Sequence, residues 1–419
     1  MINLVKKINT DLLIYLSIFL VIFLTIGNHM ADYKILIILK LFLISIMLKK
    51  DNLYLKFKDL ITSRNLNVAL IILFQISITI SFIFSPLQSD NFSIETSGTR
   101  YLFTTSNILL FSTFFLYFYA YKINYSYLFF SIIVPGLIYS FYIVVIWIEN
   151  NGISSVDKKL IFFSNIRQTG LYLTFVTCFC LGYWINEIKN IDEKKIIFCL
   201  LIFLTLIILL GSRGSFISVV FSFIFFLTIL KIKKIIIYKK IIIFLLCLLF
   251  ASLLKEIIYF LSDLSAPKNN DIAFYLIRID INSFTERLAL WSYGLELIKK
   301  YPIFGLGSNG FFIQSINERY ATGFPIFSYH THPHNFIIQF LVEWGFVGSL
   351  IIFILFGKII FKTLINIFEN KKKIYLIPLI SLIGPTLQGL IDGNFYHSIS
   401  SFFVVMSLSL LMVELKKNK

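Results

Sequence analysis

The sequence predicts an all-α, polytopic membrane protein with about twelve transmembrane helices and one large loop that itself contains helices. Three observations predict it. Of 419 residues, 58% are hydrophobic and only 14% are charged, where a soluble globular chain carries about 25%. Apolar runs recur at 11–30, 34–48, 66–87, 101–120, 127–148, 169–186, 196–210, 215–230, 241–254, 336–361, 374–393 and 398–414. Basic residues gather in alternate connections. Lys49, Lys50, Lys56, Lys58, Arg64, Lys122, Lys189, Lys194, Lys195, Lys231–Lys240, Lys371–Lys373 and the tail lysines fall on one side. The other side has only Arg100, Lys158, Lys159, Arg167 and Arg213 in its short connections.

A span needs about 20 apolar residues, and the shorter runs leave room for tilted or re-entrant pieces. The basic side reads as cytoplasmic, so both termini are expected inside. The start Met1–Thr10 leads into an apolar run with no small-residue cleavage site, so no cleavable signal is expected. Net charge is +16, from 38 Lys+Arg against 22 Asp+Glu. In a membrane chain that excess is orientation charge rather than a nucleic-acid surface. Cys178, Cys180, Cys199 and Cys247 all sit in apolar runs and are expected as buried hydrophobes, not disulfides or metal ligands.

The expected organisation is a membrane part at 1–254 with about nine spans, a large non-cytoplasmic loop at 255–335, and a membrane part at 336–419 with about three spans and a short tail. A loop of roughly 80 residues far exceeds ordinary connections and is expected to carry function. It holds three of the five histidines. Within it, Ser283-Phe-Thr-Glu286 fits a capping box and opens a helix from Phe284 to Lys300 that Pro302 ends. Phe284, Leu288, Leu290, Trp291, Leu295 and Ile298 share its apolar side, which should lie on the membrane surface or cap the bundle. Arg287 falls inside that arc. Either it snorkels, or it faces an anion: an acidic side chain, or an anionic ligand at the membrane surface.

The hairpin turn Gly211-Ser212-Arg213-Gly214 combines glycines that admit close approach with a planar fork suited to phosphate. Arg167 and Gln168 sit on the same face just before another span, where an ordinary interfacial role competes with a binding one. In His330-Thr-His332-Pro-His334-Asn335, Pro333 favours an extended His332, so alternation should point His332 away from His330 and His334. No Cys, Asp or Glu is close in sequence, so no metal site is expected. Asn335 is a plausible N-cap, which sets His334 beside a helix N-terminus where the neutral imidazole is favoured and can accept a hydroxyl proton. Glu343 should face the bundle interior with a partner; Gly345 and Gly348 should allow a close helix contact; Asp392 is a candidate partner for an arginine.

Together these pieces resemble a known family. His334-Asn335, nine residues, Gly345, two residues and Gly348 is similar to a motif of bacterial O-antigen ligases. The Arg213 turn resembles the Ser/Thr-Arg segment of that superfamily. Arg287-Leu-Ala-Leu-Trp291 followed by Lys300-Tyr-Pro302-Ile-Phe-Gly305-Leu-Gly307 resembles its pre-histidine loop helix. The resemblance implies a GT-C type membrane fold in the bacterial inner membrane with its active site facing the periplasm. It implies transfer of O-antigen glycan from undecaprenyl diphosphate to a lipid A–core hydroxyl by an inverting displacement, without nucleotide sugar, metal ion or other cofactor. Arg213 and Arg287 would then bind the diphosphate and His334 would act on the acceptor, with Arg167, Gln168, Asn335, His332 and Trp291 as substrate contacts. The partners implied are the lipid-linked glycan, lipid A–core and membrane lipids, and no nucleic acid. An O-antigen polymerase, which extends a lipid-linked repeat, shares related segments. A polysaccharide-lipid transporter is the reading from another class, but it predicts ionisable residues spread through the spans.

Overall fold

The computed structural model describes residues 10–26, 33–48, 66–88, 91–121, 123–149, 166–186, 191–232, 238–263, 281–322, 332–369, 373–393, 395 and 397–417. Among these the fold is helical, with fourteen α-helices and no strand. In chain order they are α1 (Thr10–Ile26), α2 (Tyr33–Leu48), α3 (Leu66–Ile83), α4 (Asn91–Ala120), α5 (Tyr125–Glu149), α6 (Ile166–Asn186) and α7 (Glu193–Leu209). Then follow α8 (Arg213–Ile232), α9 (Tyr238–Asp263), α10 (Ile281–Lys300), α11 (Gly310–Thr322), α12 (Phe336–Phe368), α13 (Leu376–Asp392) and α14 (Ser398–Lys417).

Each of the twelve apolar runs lies on a helix, and the loop contributes α10 and α11. By length and apolar composition, α3, α4, α5, α9, α12 and α14 are long enough to cross a membrane. Shorter apolar helices lie within α1, α2, α8 and α13. This is an all-α polytopic membrane protein. The α9 helix runs to Asp263, past the expected loop start at 255.

The centre of the bundle is α6, which packs on α7, α8 and α13. It is buried on all sides from Thr169 to Ile185, so it is apolar all round rather than amphipathic. Its crossing with α13 depends on Gly182, where a Cβ would stand 2.7 Å from Ile377 Cα. All four cysteines are free and buried, as apolar filling should be. The lysine-rich end carries its own polar network. There Tyr125 Oη donates to Glu414 at 3.0 Å, Lys240 Nζ donates to the Trp184 carbonyl at 3.1 Å, and Lys417 Nζ donates to the Phe118 carbonyl at 2.9 Å.

At the other end, α10 and α11 cap α12 through a small second core. Leu290, Tyr293, Leu297 and Ile298 pack there with Phe311, Ile313, Ile338 and Val342. This face differs from the expected arc: Tyr293 points in, while Leu288 and Leu295 are exposed. Gly294 decides the rotation, because its bare Cα lets α10 approach the Ile338 side chain. The helix also begins at Ile281, so Ser283 lies in its first turn rather than at the N-cap. It ends at Lys300, as Pro302 requires.

The cap is spliced into the membrane helix itself. At Gly345, φ is +62° and α12 breaks. Segment 302–307 fills the break: Leu306 N donates to the Val342 carbonyl at 2.8 Å and Gly307 N to the Glu343 carbonyl at 3.0 Å. Phe346 N donates to the Pro302 carbonyl at 2.8 Å and Val347 N to the Ile303 carbonyl at 3.2 Å. These bonds satisfy backbone groups that a broken membrane helix would leave unpaired. Gly345 is therefore a helix break, and its close contact is with the 302–307 segment rather than with the expected helix. Gly348 does serve that purpose, with Ser77 Oγ of α3 3.0 Å from where its Cβ would be. Ser81 Oγ, also on α3, donates to the Glu343 carbonyl at 2.7 Å.

The splice generates a prediction. At Gly305 φ is +71°, and a Cβ would lie 2.5 Å from the Val342 carbonyl oxygen. Gly305→Ala should destabilise the protein by about 1–3 kcal/mol, read as a lower thermal midpoint in detergent. Gly357→Ala, where a Cβ meets nothing within 4 Å, should leave the midpoint unchanged or raise it.

Candidate active site

Asp392, at the C-terminal end of α13, organises the polar cluster. Its carboxylate is buried in the bundle and has two partners. Arg287 Nη2 donates to Oδ1 at 3.1 Å, and Gln388 Nε2, one turn back on α13, donates to Oδ2 at 3.3 Å. Gln388 is itself held from two sides: Thr174 Oγ1 of α6 donates to its Oε1 at 2.6 Å, and its Nε2 donates to Ser215 Oγ of α8 at 3.0 Å. Thus α6, α8, α10 and α13 meet through one carboxylate and one amide. A buried carboxylate at a helix C-terminus needs this support, since the helix dipole there disfavours negative charge.

The Arg213 turn meets the same carboxylate. Gly211 takes φ +61°, reverses the chain after α7, and leaves Arg213 as the first residue of α8. A Cβ on Gly214 would stand 2.7 Å from Asp392 Oδ2, so only glycine admits this approach. Arg213 is half-buried and precedes that contact by one residue. The backbone after Arg213 and the guanidinium of Arg287 therefore reach Asp392 from two different helices, although the whole of α9 separates them in sequence.

The histidines join at the next residue. Gly393 takes φ +68°, and a Cβ there would lie 2.7 Å from His332 Cδ2 and 3.3 Å from His334 Cα. The His332 and His334 rings are 4.3 Å apart and the His332 and His397 rings 5.1 Å apart. This corrects the expected alternation, in which His332 points away from His334. His334 adopts φ +55°, a left-handed conformation uncommon outside glycine, which swings the two rings together. His330 lies outside the described residues. The loop is held from both sides. Trp291 Nε1 donates to the Pro333 carbonyl at 3.0 Å. Asn335 Oδ1 caps α12, accepting from Ile337 N at 2.9 Å and Ile338 N at 3.2 Å.

Trp291 Nε1 and Asn335 Oδ1 thus position the histidine loop. Arg167 and Gln168 lie in the first turn of α6, just before Gly170, whose Cβ would stand 2.5 Å from Ser215 Oγ. The Arg167 side chain lies outside the described residues. Glu343 is buried, as expected, and accepts from Gln339 Nε2 at 3.2 Å.

Sequence reasoning missed Arg100, counted there as a loop charge. It lies in the third turn of α4, is 4% exposed, and donates from Nη2 to the Phe395 carbonyl at 3.1 Å. It stands within electrostatic reach of His332 and Glu343. The available signal was that α4 extends upstream of its apolar run through Asn91–Thr99, so that Arg100 sits on a helix face. Gln388 and His397 were missed as well. Gln388 had a signal, a polar residue four before Asp392 in an otherwise apolar run. His397 lies in a short turn with no distinguishing pattern.

The class these features define is a polytopic membrane protein with an arginine- and histidine-lined polar cluster at one end of its bundle, roofed by a helical loop spliced into a transmembrane helix. Residues 198–353 match the family model described as O-antigen ligase. The segment spans α7 through the break in α12 and so includes Arg213, Arg287, His332 and His334. The family supports an O-antigen ligase- or polymerase-type function in a bacterial membrane. No curated protein matches the chain.

Burial holds the His332 imidazole well below its ordinary value of about 6.5, and the neighbouring His334 and His397 push it the same way. Because the folded value is depressed, the unfolded chain binds the proton more readily. His332 therefore contributes stability that is complete above about pH 6.5 and declines as pH falls below it. The thermal midpoint should drop between pH 7.5 and 5, and His332→Gln should flatten that slope when the two curves are compared.

Proposed function

We propose that the protein is an O-antigen ligase, transferring O-antigen glycan from undecaprenyl diphosphate to a hydroxyl of lipid A–core at the periplasmic face of the inner membrane. The observation that supports this reading is that Arg287, the Gly214 backbone next to Arg213, and the His334 backbone all meet the Asp392–Gly393 corner, with Arg213, Arg287 and His334 inside the segment that matches the O-antigen ligase family.

The chemistry follows from the donor. The acceptor oxygen attacks the anomeric carbon, the bond from that carbon to the phosphate oxygen breaks, and the diphosphate leaves with the electron pair. Arg213 and Arg287 stabilise the charge that collects on it, and guanidinium forks in a partly dry site do this strongly. Asp392 fixes the direction of Arg287 and spends one of its donors, leaving the planar group oriented before the donor arrives. His334 takes the acceptor proton as the new bond forms. Its left-handed backbone and the Asn335 cap fix the ring beside a helix N-terminus, where the neutral base is favoured. A single displacement inverts the anomeric centre. Holding two lipid-anchored substrates in line supplies much of the remaining acceleration.

With purified lipid-linked glycan and lipid A–core, His334→Ala should lower turnover about 10²–10⁴-fold while donor binding is retained. Arg213→Ala and Arg287→Ala should weaken donor binding and turnover together. Wild-type turnover in His334→Ala refutes the proposed base. In a deletion strain, loss of all glycan from lipid A–core with polymerised lipid-linked chains remaining supports a ligase. Lipid A–core bearing a single repeat supports a polymerase instead.

A further inference from the structure

The splice is flanked by exposed apolar side chains. Within segment 302–307, Ile303 is 59% exposed and Phe304 is exposed as well. Directly after the break, Phe346, Val347 and Leu350 are exposed on α12. Phe84, at the end of α3, is 75% exposed. Hydrogen bonds hold these positions beside one another. Val347 N donates to the Ile303 carbonyl at 3.2 Å, and Ser85 Oγ, next to Phe84, donates to the Leu306 carbonyl at 2.5 Å. An exposed apolar belt thus continues from two helices of membrane-crossing length onto the loop. Single exposed apolar residues mean little, but a belt that extends a lipid-facing surface marks a membrane contact.

The main chain suits the same surroundings. The carbonyls of Pro302 and Ile303 accept from α12, that of Leu306 from Ser85, and that of Gly307 from Gly310 N at 3.0 Å. A turn in water needs no such pairing, whereas backbone against lipid does. The charges then set a depth. Lys299 and Lys300 are exposed at the end of α10, and Lys300 Nζ lies 5.4 Å from the Tyr301 ring centroid. Lysine beside tyrosine is a pattern of the headgroup layer. From Gly345 to Phe368 α12 is about 35 Å long, close to the roughly 30 Å of a bilayer's hydrocarbon. The break therefore falls near the hydrocarbon boundary on the loop side rather than at mid-bilayer.

We propose that Lys299–Phe304 is an interfacial anchor. Ile303 and Phe304 insert among the acyl chains of the adjoining leaflet, just beneath headgroups whose phosphates meet Lys299 and Lys300. The occupant is bilayer phospholipid, because the belt extends the surface that α3 and α12 turn toward lipid. The anchor sets the depth of the cap, and with it that of the polar cluster at the start of α12. It holds whichever reaction the site performs.

The test is fluorescence quenching on the full chain in phospholipid nanodiscs. Ile303→Cys, Phe304→Cys and Glu296→Cys, the last at an exposed position of α10, each carry one thiol-linked fluorophore. The native cysteines are buried, and wild type treated in the same way supplies the background. Lipids with a nitroxide near the headgroup should quench positions 303 and 304 more than lipids with a nitroxide near the chain end. Aqueous iodide should quench both positions at least about threefold less than position 296. Lys299→Gln combined with Lys300→Gln should raise iodide access at 303. Equal iodide quenching at all three positions overturns the anchor, and unchanged access in the lysine variant overturns the headgroup contact. Protection from iodide without nitroxide quenching means that a second copy of the chain covers the belt, and overturns the proposal too. In the unmodified chain, hydroxyl-radical footprinting in nanodiscs should leave Phe304 unoxidised. Its oxidation there overturns the proposal without any variant having to fold.

Discussion

The ion pair between Arg287 and Asp392 is the contact on which the working end of the molecule depends. It joins a helix of the loop to a helix of the membrane core, and each partner would be costly without the other in so little water. Gln388 extends the pair to α6 and α8, so the orientation of one carboxylate is determined by four helices. Such a network is expensive to assemble and rigid once complete. Rigidity is what the proposed site for a charged leaving group requires, because its dipoles and cations then need not reorganise as charge develops.

Glycines make the convergence possible. At Gly214, Gly305 and Gly393, backbone stands where a side chain would collide with a carboxylate, a carbonyl or an imidazole. The helix break at Gly345 has the same logic on a larger scale. A continuous α12 would leave no carbonyls or amides for the 302–307 segment, and the cap would rest on side-chain packing alone.

Much of the architecture was legible because hydropathy and charge report directly on a bilayer: every apolar run is a helix, and the buried cysteines follow from their neighbours. The need of Arg287 for an anion was legible because it lies in a greasy arc, and Asp392 supplies that anion. What stayed hidden depended on tertiary choices. The face that α10 buries is set by Gly294 against Ile338, which no periodicity of α10 alone contains. The pairing of His332 with His334 required a left-handed residue that proline-based reasoning did not anticipate. Arg100 was misread because charge counting treats any arginine beside a span as solvated, whereas the helix carries it inward.

The splice between cap and membrane helix also constrains traffic. Four main-chain hydrogen bonds bind 302–307 to the two halves of α12, so a roof swinging on that segment would have to unzip this main-chain joint. The roof is thereby a fixed wall rather than a door. On the proposed reading, both lipid-anchored substrates enter sideways from the bilayer, and the ceiling stays in place.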